Sequence, residues 1–578
     1  MIAFMHSFAR TMVATAAIVA VTACTFLASN AAHAQCAFDV GGQPEATATV
    51  DGTLFVRSAA NLTGAALTNS TGATRPAAEI LNNLSTNRQR WDVNGSGGVV
   101  DASDAAIIAR YLAGFRGEAL IPNGAGPGAT RTTGAQIDDY IATGCPVPDQ
   151  PVTLAGARID PTSRTTLVSV VPESESYALQ RRSTFRWSDY RSTGTYAQPN
   201  EAIQISVGAV PMGTRVEALI GTWQQGSGVG SWAFTPQPYT LAANATTTMA
   251  RDSGGPVYVR ATNPVKGGSV RFQIVSGGTL MPLFLLGRDN HAQWIAAMNA
   301  ANVTPYVEVV SHRAIITFKT DNVKTALATD PGVNIAKMAV LFDRLLASHD
   351  SVSGLDNSTP QDVRDDHPLH FTSHDDPTYY FFAYYSRTAF KQDFADVLFT
   401  KKFLTVEPGW GVWHETGHMY QGAWEWSELT EVSVNIYSLE FGRKIGVPHR
   451  LILNDDGSSP GVKIWDRALQ LRSTVAAFEN LDVFQMLTMF WQLRLAYGPS
   501  FYAKLHKLYR DPATRPALPD NAARRQQFIV SASKIAGQDL RAYFNSWQLI
   551  ATPATDVQVA ALGLPAANVA ALLALRPQ

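Results

Sequence analysis

The 578-residue sequence predicts a multidomain α+β protein: a small helical module, then a β-sandwich, then a mainly α-helical domain. Three observations predict this order. A segment near the N-terminus repeats itself at a fixed offset. The middle of the chain alternates apolar and polar residues with period two, and the last part carries apolar residues at helical spacing. With 46 Lys+Arg against 47 Asp+Glu, no cationic surplus is available to neutralise phosphates, which argues against a nucleic-acid partner.

Residues 1–34 read as an export signal. Arg10 supplies the positive region, residues 12–27 form an apolar stretch, and Ala32-His33-Ala34 fits the small-x-small cleavage pattern, leaving Gln35 as the mature N-terminus. Two other readings are a membrane anchor, for which the run falls short of the roughly 20 residues a span needs, and a lipoprotein acylated on Cys24. The expectation is a secreted or periplasmic protein with no membrane span in the mature chain. Cleavage removes one of the three cysteines and leaves Cys36 and Cys145, which in an oxidising compartment pair as a disulfide.

The repeat lies within residues 35–147. Asp51-Gly-Thr-Leu-Phe-Val-Arg57 and Gly64-Ala-Ala-Leu67 return 53 residues later as Asp104-Ala-Ala-Ile-Ile-Ala-Arg110 and Gly117-Glu-Ala-Leu120, and Gly72-Ala-Thr-Arg75 returns at an offset of 56 as Gly128-Ala-Thr-Arg131. Each copy reads as a loop, a helix and a second short helix. In the second loop Asp92, Asn94, Ser96, Asp101 and Asp104 place oxygens at the spacing a calcium ion uses, with a turn glycine at position 95. The loop is one residue longer than an EF-hand loop and ends in Asp rather than Glu. The module resembles a dockerin-like tandem calcium-loop domain. The first loop, from Asp39 to Glu45, has lost most side-chain oxygens and is not expected to bind calcium well. A dockerin-like module implies a cohesin-like partner.

Residues 146–151 read as a linker. Across 152–320 the alternations Ile203/Ile205/Val207, Val257/Val259/Ala261 and Val270/Phe272/Ile274, separated by Gly- and Pro-rich turns, predict a β-sandwich-like domain. From 321 to 578 helical spacing takes over, as in Val340-Leu-Phe-Asp-Arg-Leu-Leu346.

Inside this helical part stands His414-Glu415-Thr-Gly-His418. Two histidines four apart project from one helix face, close enough to hold one zinc ion, and Glu415 lies beside the remaining coordination position. There it can take a proton from zinc-bound water and pass it to the leaving amine of a peptide bond. A third histidine is absent, since Trp occupies position 424. The third ligand is open among Glu425, Glu428 and Glu431. Continuation of the first helix would carry Glu425 about 10 Å past His418. Ser427 can cap a new helix with Glu428 in its first turn, where the helix dipole favours a carboxylate without any metal. Glu431 then falls one turn in and heads a polar stripe with Asn435 and Ser438. This ranks Glu431 above Glu428 without removing either.

These segments resemble the enhancin-like, mucin-degrading zinc peptidases of the gluzincin group, peptidase family M60. Their HExGH motif, a glutamine three residues on, and a following EV(T/S)xN(I/V)YS segment are matched by His414-Glu-Thr-Gly-His418, Gln421 and Glu431-Val-Ser-Val-Asn435-Ile-Tyr-Ser438. The resemblance extends upstream to Gly194-Thr-Tyr-Ala-Gln-Pro-Asn-Glu201 and Gly255-Pro-Val-Tyr-Val259, and downstream to Trp547 and Leu562-Gly-Leu-Pro565. It implies Glu431 as the third zinc ligand and an endopeptidase acting on heavily glycosylated proteins. The competing reading is a glycan- or mucin-binding protein that retains the fold without catalysis; the complete His414, Glu415, His418 and Glu431 set speaks against it. A gluzincin aminopeptidase is disfavoured, because no Gly-Ala-Met-Glu-Asn-type segment for a free amine is present.

Other residues carry weaker readings. Trp410, Trp413, Trp424 and Trp426 could stack sugars, but aromatic core packing is the simpler reading. Tyr384, Tyr385 and Tyr437 are candidates to donate to the oxyanion. His367, His370 and His374, among Asp365, Asp366, Asp375 and Asp376, read as a polar surface loop, with a substrate-cleft wall as the alternative.

Overall fold

The computed structural model describes residues 38–577 apart from 43–45, 98–99, 143–144, 146–153, 155, 224, 226–227, 231–234 and 455–460. The expected signal peptide, Cys24, Cys36 and the 146–151 linker lie outside the described residues. Among the described residues no helix is long and apolar enough to cross a membrane.

The N-terminal module packs its own core, in which Phe38, Phe55, Trp91, Ile107 and Ile137 are buried. The sequence repeat is a repeat of hydrogen bonds. Asp51 accepts from the Gly41 amide at 2.8 Å, and Asp104, 53 residues on, accepts from the Asn94 amide at 3.0 Å. The amides of Thr74 and Arg75 donate to the Gly41 carbonyl; those of Thr130 and Arg131 donate to the Asn94 carbonyl. The two copies differ at their first helices: a π-turn, Ala48–Gly52, precedes Thr53–Ala59, whereas an Asp101–Asp104 capping box opens Ala102–Leu112. In the second loop the Asp92 carboxylate accepts from the Ser96 and Gly97 amides and Asp101 from the Ser103 and Asp104 amides. Cys145 is buried and disulfide-bonded.

Two antiparallel five-stranded sheets follow. The first has the order β1 (Ala157–Asp160), β2 (Thr165–Ser169), β9 (Ser269–Ser276), β4 (Ile203–Val207), β7 (Thr246–Met249). The second runs β10 (Thr279–Leu280), β3 (Arg191–Ala197), β8 (Gly255–Thr262), β5 (Arg215–Ile220), β6 (Pro238–Thr240). The three expected alternations all point into the core between them, where Ile205, Val257, Val259 and Phe272 are buried.

The sandwich ends earlier than the sequence indicates. β11 (Leu283–Leu285), β12 (Tyr306–Val310) and β13 (Ala314–Lys319) belong to a third sheet, continued by β14 (Leu369–His374), β16 (Arg387–Lys391) and the edge strand β15 (Phe381–Tyr384). The boundary at 320 therefore moves to about 282, and the helical part is mixed α/β. The cause is a crossover: β13 pairs with β14 in parallel, through the helices Thr320–Thr329 and Ile335–Ser353, and such a partner is invisible to local periodicity. Both strands are buried nearly throughout, so both faces of the sheet are covered here, although β14 carries polar His370, Thr372, Ser373 and His374 among its six residues.

The surface-loop reading of 367–374 is likewise corrected. His370 and His374 lie on β14, and all three histidines are buried. Burial pushes the His370 imidazole down to about 3 and His374 to about 4, so both are neutral core residues. His370 Nε2 meets Thr317 Oγ1 at 2.8 Å, and His367 Nε2 meets the Pro172 carbonyl at 2.8 Å. Polar residues clustered in sequence here find their partners on distant segments of the chain, inside the protein.

One large core joins this third sheet to the helices Ile335–Ser353, Val406–His418, Thr430–Ile445, Val483–Tyr497, Phe501–Arg510 and Asn521–Ala536.

Candidate metal centre

The His414-to-His418 motif ends the helix Val406–His418, and Met419 caps it by donating its backbone N–H to the Thr416 carbonyl. A 3-10 turn, Ser427–Leu429, then feeds the helix Thr430–Ile445, which packs against the motif helix. Its start differs from expectation: Glu431 lies in the first turn rather than one turn in, because Ser427 and Glu428 form the preceding 3-10 turn. Gly417 permits the close packing. A Cβ there would lie 2.9 Å from Val434 Cγ2 and 3.0 Å from the Val434 carbonyl oxygen.

Contact between the helices brings three ligand atoms together. His414 Nε2 lies 3.2 Å from His418 Nε2, and Glu431 Oε2 lies 3.1 Å from the first and 3.6 Å from the second. A tetrahedral ion of zinc's size, with bonds of about 2.0–2.1 Å, spaces its ligands about 3.3 Å apart. Two imidazole nitrogens and one carboxylate oxygen at these separations fit such an ion. Among the described residues this is the sole group of three or more His, Cys, Asp or Glu side chains close enough to share one. The Asp92–Asp104 loop contributes no such group.

The electrostatics are those of ligands crowded together before a cation arrives. Burial lowers the pKa of His418, but the hydrogen bond to Glu431 and the charges of Glu415 and Glu431 outweigh it and raise the imidazole to about 9. Burial works against ionised Glu431 as well, yet the two histidines hold its carboxyl far below the ordinary carboxylate range. The outer nitrogens meet amides: His414 Nδ1 is 2.7 Å from Asn435 Oδ1, and His418 Nδ1 is 2.7 Å from Gln421 Oε1.

"Peptidase M60, enhancin and enhancin-like" matches residues 277–548, and "N-terminal domain of M60-like peptidases" matches residues 172–274. The chain belongs to the enhancin-like M60 peptidase family. The junction of the two M60 segments coincides with the change from sandwich to third sheet. A functionally unknown conserved protein from Bacillus anthracis str. Ames is 27% identical with a TM-score of 0.62, covering 71% of this chain and 81% of that one. A metallopeptidase solved in complex with Tn antigen shares the fold at 20% identity and a TM-score of 0.55, covering 69% and 78%. The TRPM8 channel-associated factor homolog of Danio rerio is 23% identical over 379 residues, 64% of this chain and 39% of that one, so the match spans about two fifths of that relative.

The metal dependence of M60 metallopeptidases accords with the His-His-Glu cluster. Beside it, Glu415 is buried, and burial raises its pKa, opposed by His414 and His418. The Ala383 amide of the edge strand β15 also faces its carboxyl and works against the rise. That contact, and the roles of Gln421 and Asn435, escaped the sequence reading. Gln421 at three residues after His418 and Asn435 at four after Glu431 were visible as spacings, but their meaning required the helix pairing.

The other carboxylates stand apart. Glu425 follows the end of the motif helix and accepts from the Gly422 amide at 3.3 Å; burial raises it to about 8. Glu428 is exposed, 3.7 Å from Arg525. The four tryptophans are core residues. Tyr437 is buried away from the ligand atoms, bonded to Ser353, His506 and the Tyr420 carbonyl, which removes it as an oxyanion donor. Tyr384 and Tyr385 follow Ala383 directly, and Tyr385 is 55% exposed.

Proposed function

We propose that this M60 chain is an exported, zinc-dependent endopeptidase that cuts peptide bonds in mucin-like O-glycosylated proteins. The observation that carries the reading is the cluster of His414 Nε2, His418 Nε2 and Glu431 Oε2 at 3.1–3.6 Å, with Glu415 buried beside it. When bound, zinc polarises the scissile carbonyl and acidifies water. Glu415 supplies the proton traffic: its carboxylate takes a proton from the attacking water and delivers it to the departing amine nitrogen. The Ala383 amide lies beside that carboxylate and favours its ionised form. Tyr384 and Tyr385 are the remaining candidates to donate to the developing oxyanion.

Glycoprotein as substrate is supported by the metallopeptidase of the same fold solved with Tn antigen. Export is supported by the apolar N-terminal run and by the disulfide at Cys145, a bond that persists outside reducing compartments. A calcium ion on Asp92, Asn94, Ser96, Asp101 and Asp104 belongs to the same proposal as a stabiliser of the N-terminal module. A cohesin-like partner does not.

The test incubates a mucin-type glycoprotein with the metal-loaded wild type, the chelated wild type and Glu415→Gln. The reading predicts fragments from the metal-loaded wild type, and a loss of about 10²–10⁴-fold in rate for Glu415→Gln, the range that removal of a general base produces. Equal product from wild type and Glu415→Gln would overturn it. Binding of the glycoprotein without cleavage by either protein would establish the non-catalytic alternative.

A further inference from the structure

Each histidine of the cluster turns its second nitrogen to an amide whose orientation is itself fixed. Gln421 Nε2 donates to the Thr430 carbonyl at 2.7 Å and to Ser433 Oγ at 2.8 Å, and Asn435 Nδ2 donates to the Glu431 carbonyl at 2.8 Å. The two ends of a carboxamide are nearly identical in outline, so its other bonds decide which end faces the ring. A backbone carbonyl only accepts and must meet the NH₂ end, which turns the oxygen of each amide towards an imidazole. An amide oxygen also only accepts. In the neutral ring, the form that can bind an ion, the proton of His414 and that of His418 are therefore required on Nδ1, leaving each Nε2 lone pair free on the side of Glu431 Oε2.

We propose that Gln421 and Asn435 are positioning residues that set the tautomer of His418 and His414, and that the carbonyls of Thr430 and Glu431 set the amides. The inference rests on the zinc reading and adds how the free ligand atoms are kept free. Thr430 and Glu431 are consecutive residues opening one helix. A single turn thus supplies the carboxylate ligand and the acceptors that orient the other two.

This arrangement separates two expectations for an isosteric swap. A carboxylate on the outer nitrogen of a ligating histidine ordinarily raises its basicity and favours the metal. Here Gln421→Glu or Asn435→Asp would keep an acceptor for Nδ1–H but set an ionised oxygen against a backbone carbonyl, with no proton between them. The ring would lose its fixed direction.

The experiment measures zinc affinity by chelator competition in the wild type, Q421E and N435D. Melting temperature and circular dichroism of the metal-free proteins serve as fold controls. The proposal predicts at least tenfold weaker zinc binding in each variant, within the 10–100-fold range for loss of such outer partners. Unchanged or tighter binding by folded variants would overturn it. Should the variants fail to fold, nitrogen NMR of labelled histidines in the zinc-loaded wild type decides: protons on Nδ1 of both His414 and His418 support the proposal, and an Nε2 proton on either refutes it. A wild type that takes up no zinc refutes the proposed function instead, so the two failures are distinguishable.

Discussion

Gly417 and Val434 pack face to face between the two helices of the candidate metal centre: a Cβ on residue 417 would sit 2.9 Å from Val434 Cγ2. In an exposed helix interior, Gly→Ala gains about 1 kcal/mol. Here the sign reverses, because the backbone carbonyl of Val434 also stands 3.0 Å away and cannot rotate aside. Gly417→Ala is predicted to destabilise the protein by about 1–3 kcal/mol through overpacking. It should also weaken zinc binding by pushing Glu431 from the histidines. Thermal unfolding and zinc competition on the same variant check both effects.

Zinc uptake should release protons. In the metal-free protein His418 is raised to about 9, chiefly by Glu431 against the opposing effect of burial, so near neutrality a proton sits where the ion must bind. Apparent zinc affinity is predicted to climb about tenfold per pH unit between pH 7 and 9 and to level off above. The same raised pKa stabilises the metal-free fold fully below the ordinary histidine range, near 6.5, and that contribution is lost as pH rises through about 9. Calorimetry in buffers of different ionisation enthalpy counts the released protons directly.

Asp104 gives the N-terminal module its own pH dependence. Burial lifts its carboxyl to about 7, against the hydrogen bonds from the Asn94 and Asp101 amides. The folded module therefore holds a proton that the unfolded chain releases near pH 4, and stability is predicted to fall from about pH 4 through pH 7. A calcium ion would neutralise the ionised carboxylate and reverse that loss. Millimolar calcium should raise the melting temperature of the full chain more at pH 8 than at pH 5; an equal, null response at both would remove the calcium proposal.

Glu308 ties the sandwich to the third sheet. It is fully buried on β12 and accepts from Tyr258 at 2.6 Å, Thr317 at 2.8 Å and Ser192, residues drawn from β8, β13 and β3. Tyr258→Phe removes one donor from a carboxylate that no water reaches, and should cost about 1–3 kcal/mol. Denaturant unfolding measures it.

What could be read from the sequence follows from how local each signal is. The His414-to-His418 pattern needs only one helix, and the alternation of Ile203, Ile205 and Val207 needs only one strand, so both were legible. Glu431 was ranked by spacing and selected by family resemblance, and its place in the first helical turn depended on a 3-10 turn that spacing does not reveal. Residues 306–319 fall within the stretch that local pattern assigns to the sandwich, yet they belong to the third sheet, since Ile315 pairs with His370 across two intervening helices. His370 itself looked like a loop residue because burial of a polar side chain shows only when its partner, Thr317, is known. Gln421 and Asn435 were visible as letters, whereas their bonds exist only once two helices meet.

The most direct test is zinc stoichiometry by elemental analysis across a small set of folded variants. The account predicts one zinc per wild-type chain, loss of that zinc in His414→Ala, His418→Ala and Glu431→Ala, and full retention in Glu428→Ala. A wild type that binds none, or a Glu431→Ala protein that keeps its zinc while Glu428→Ala loses it, would contradict the account.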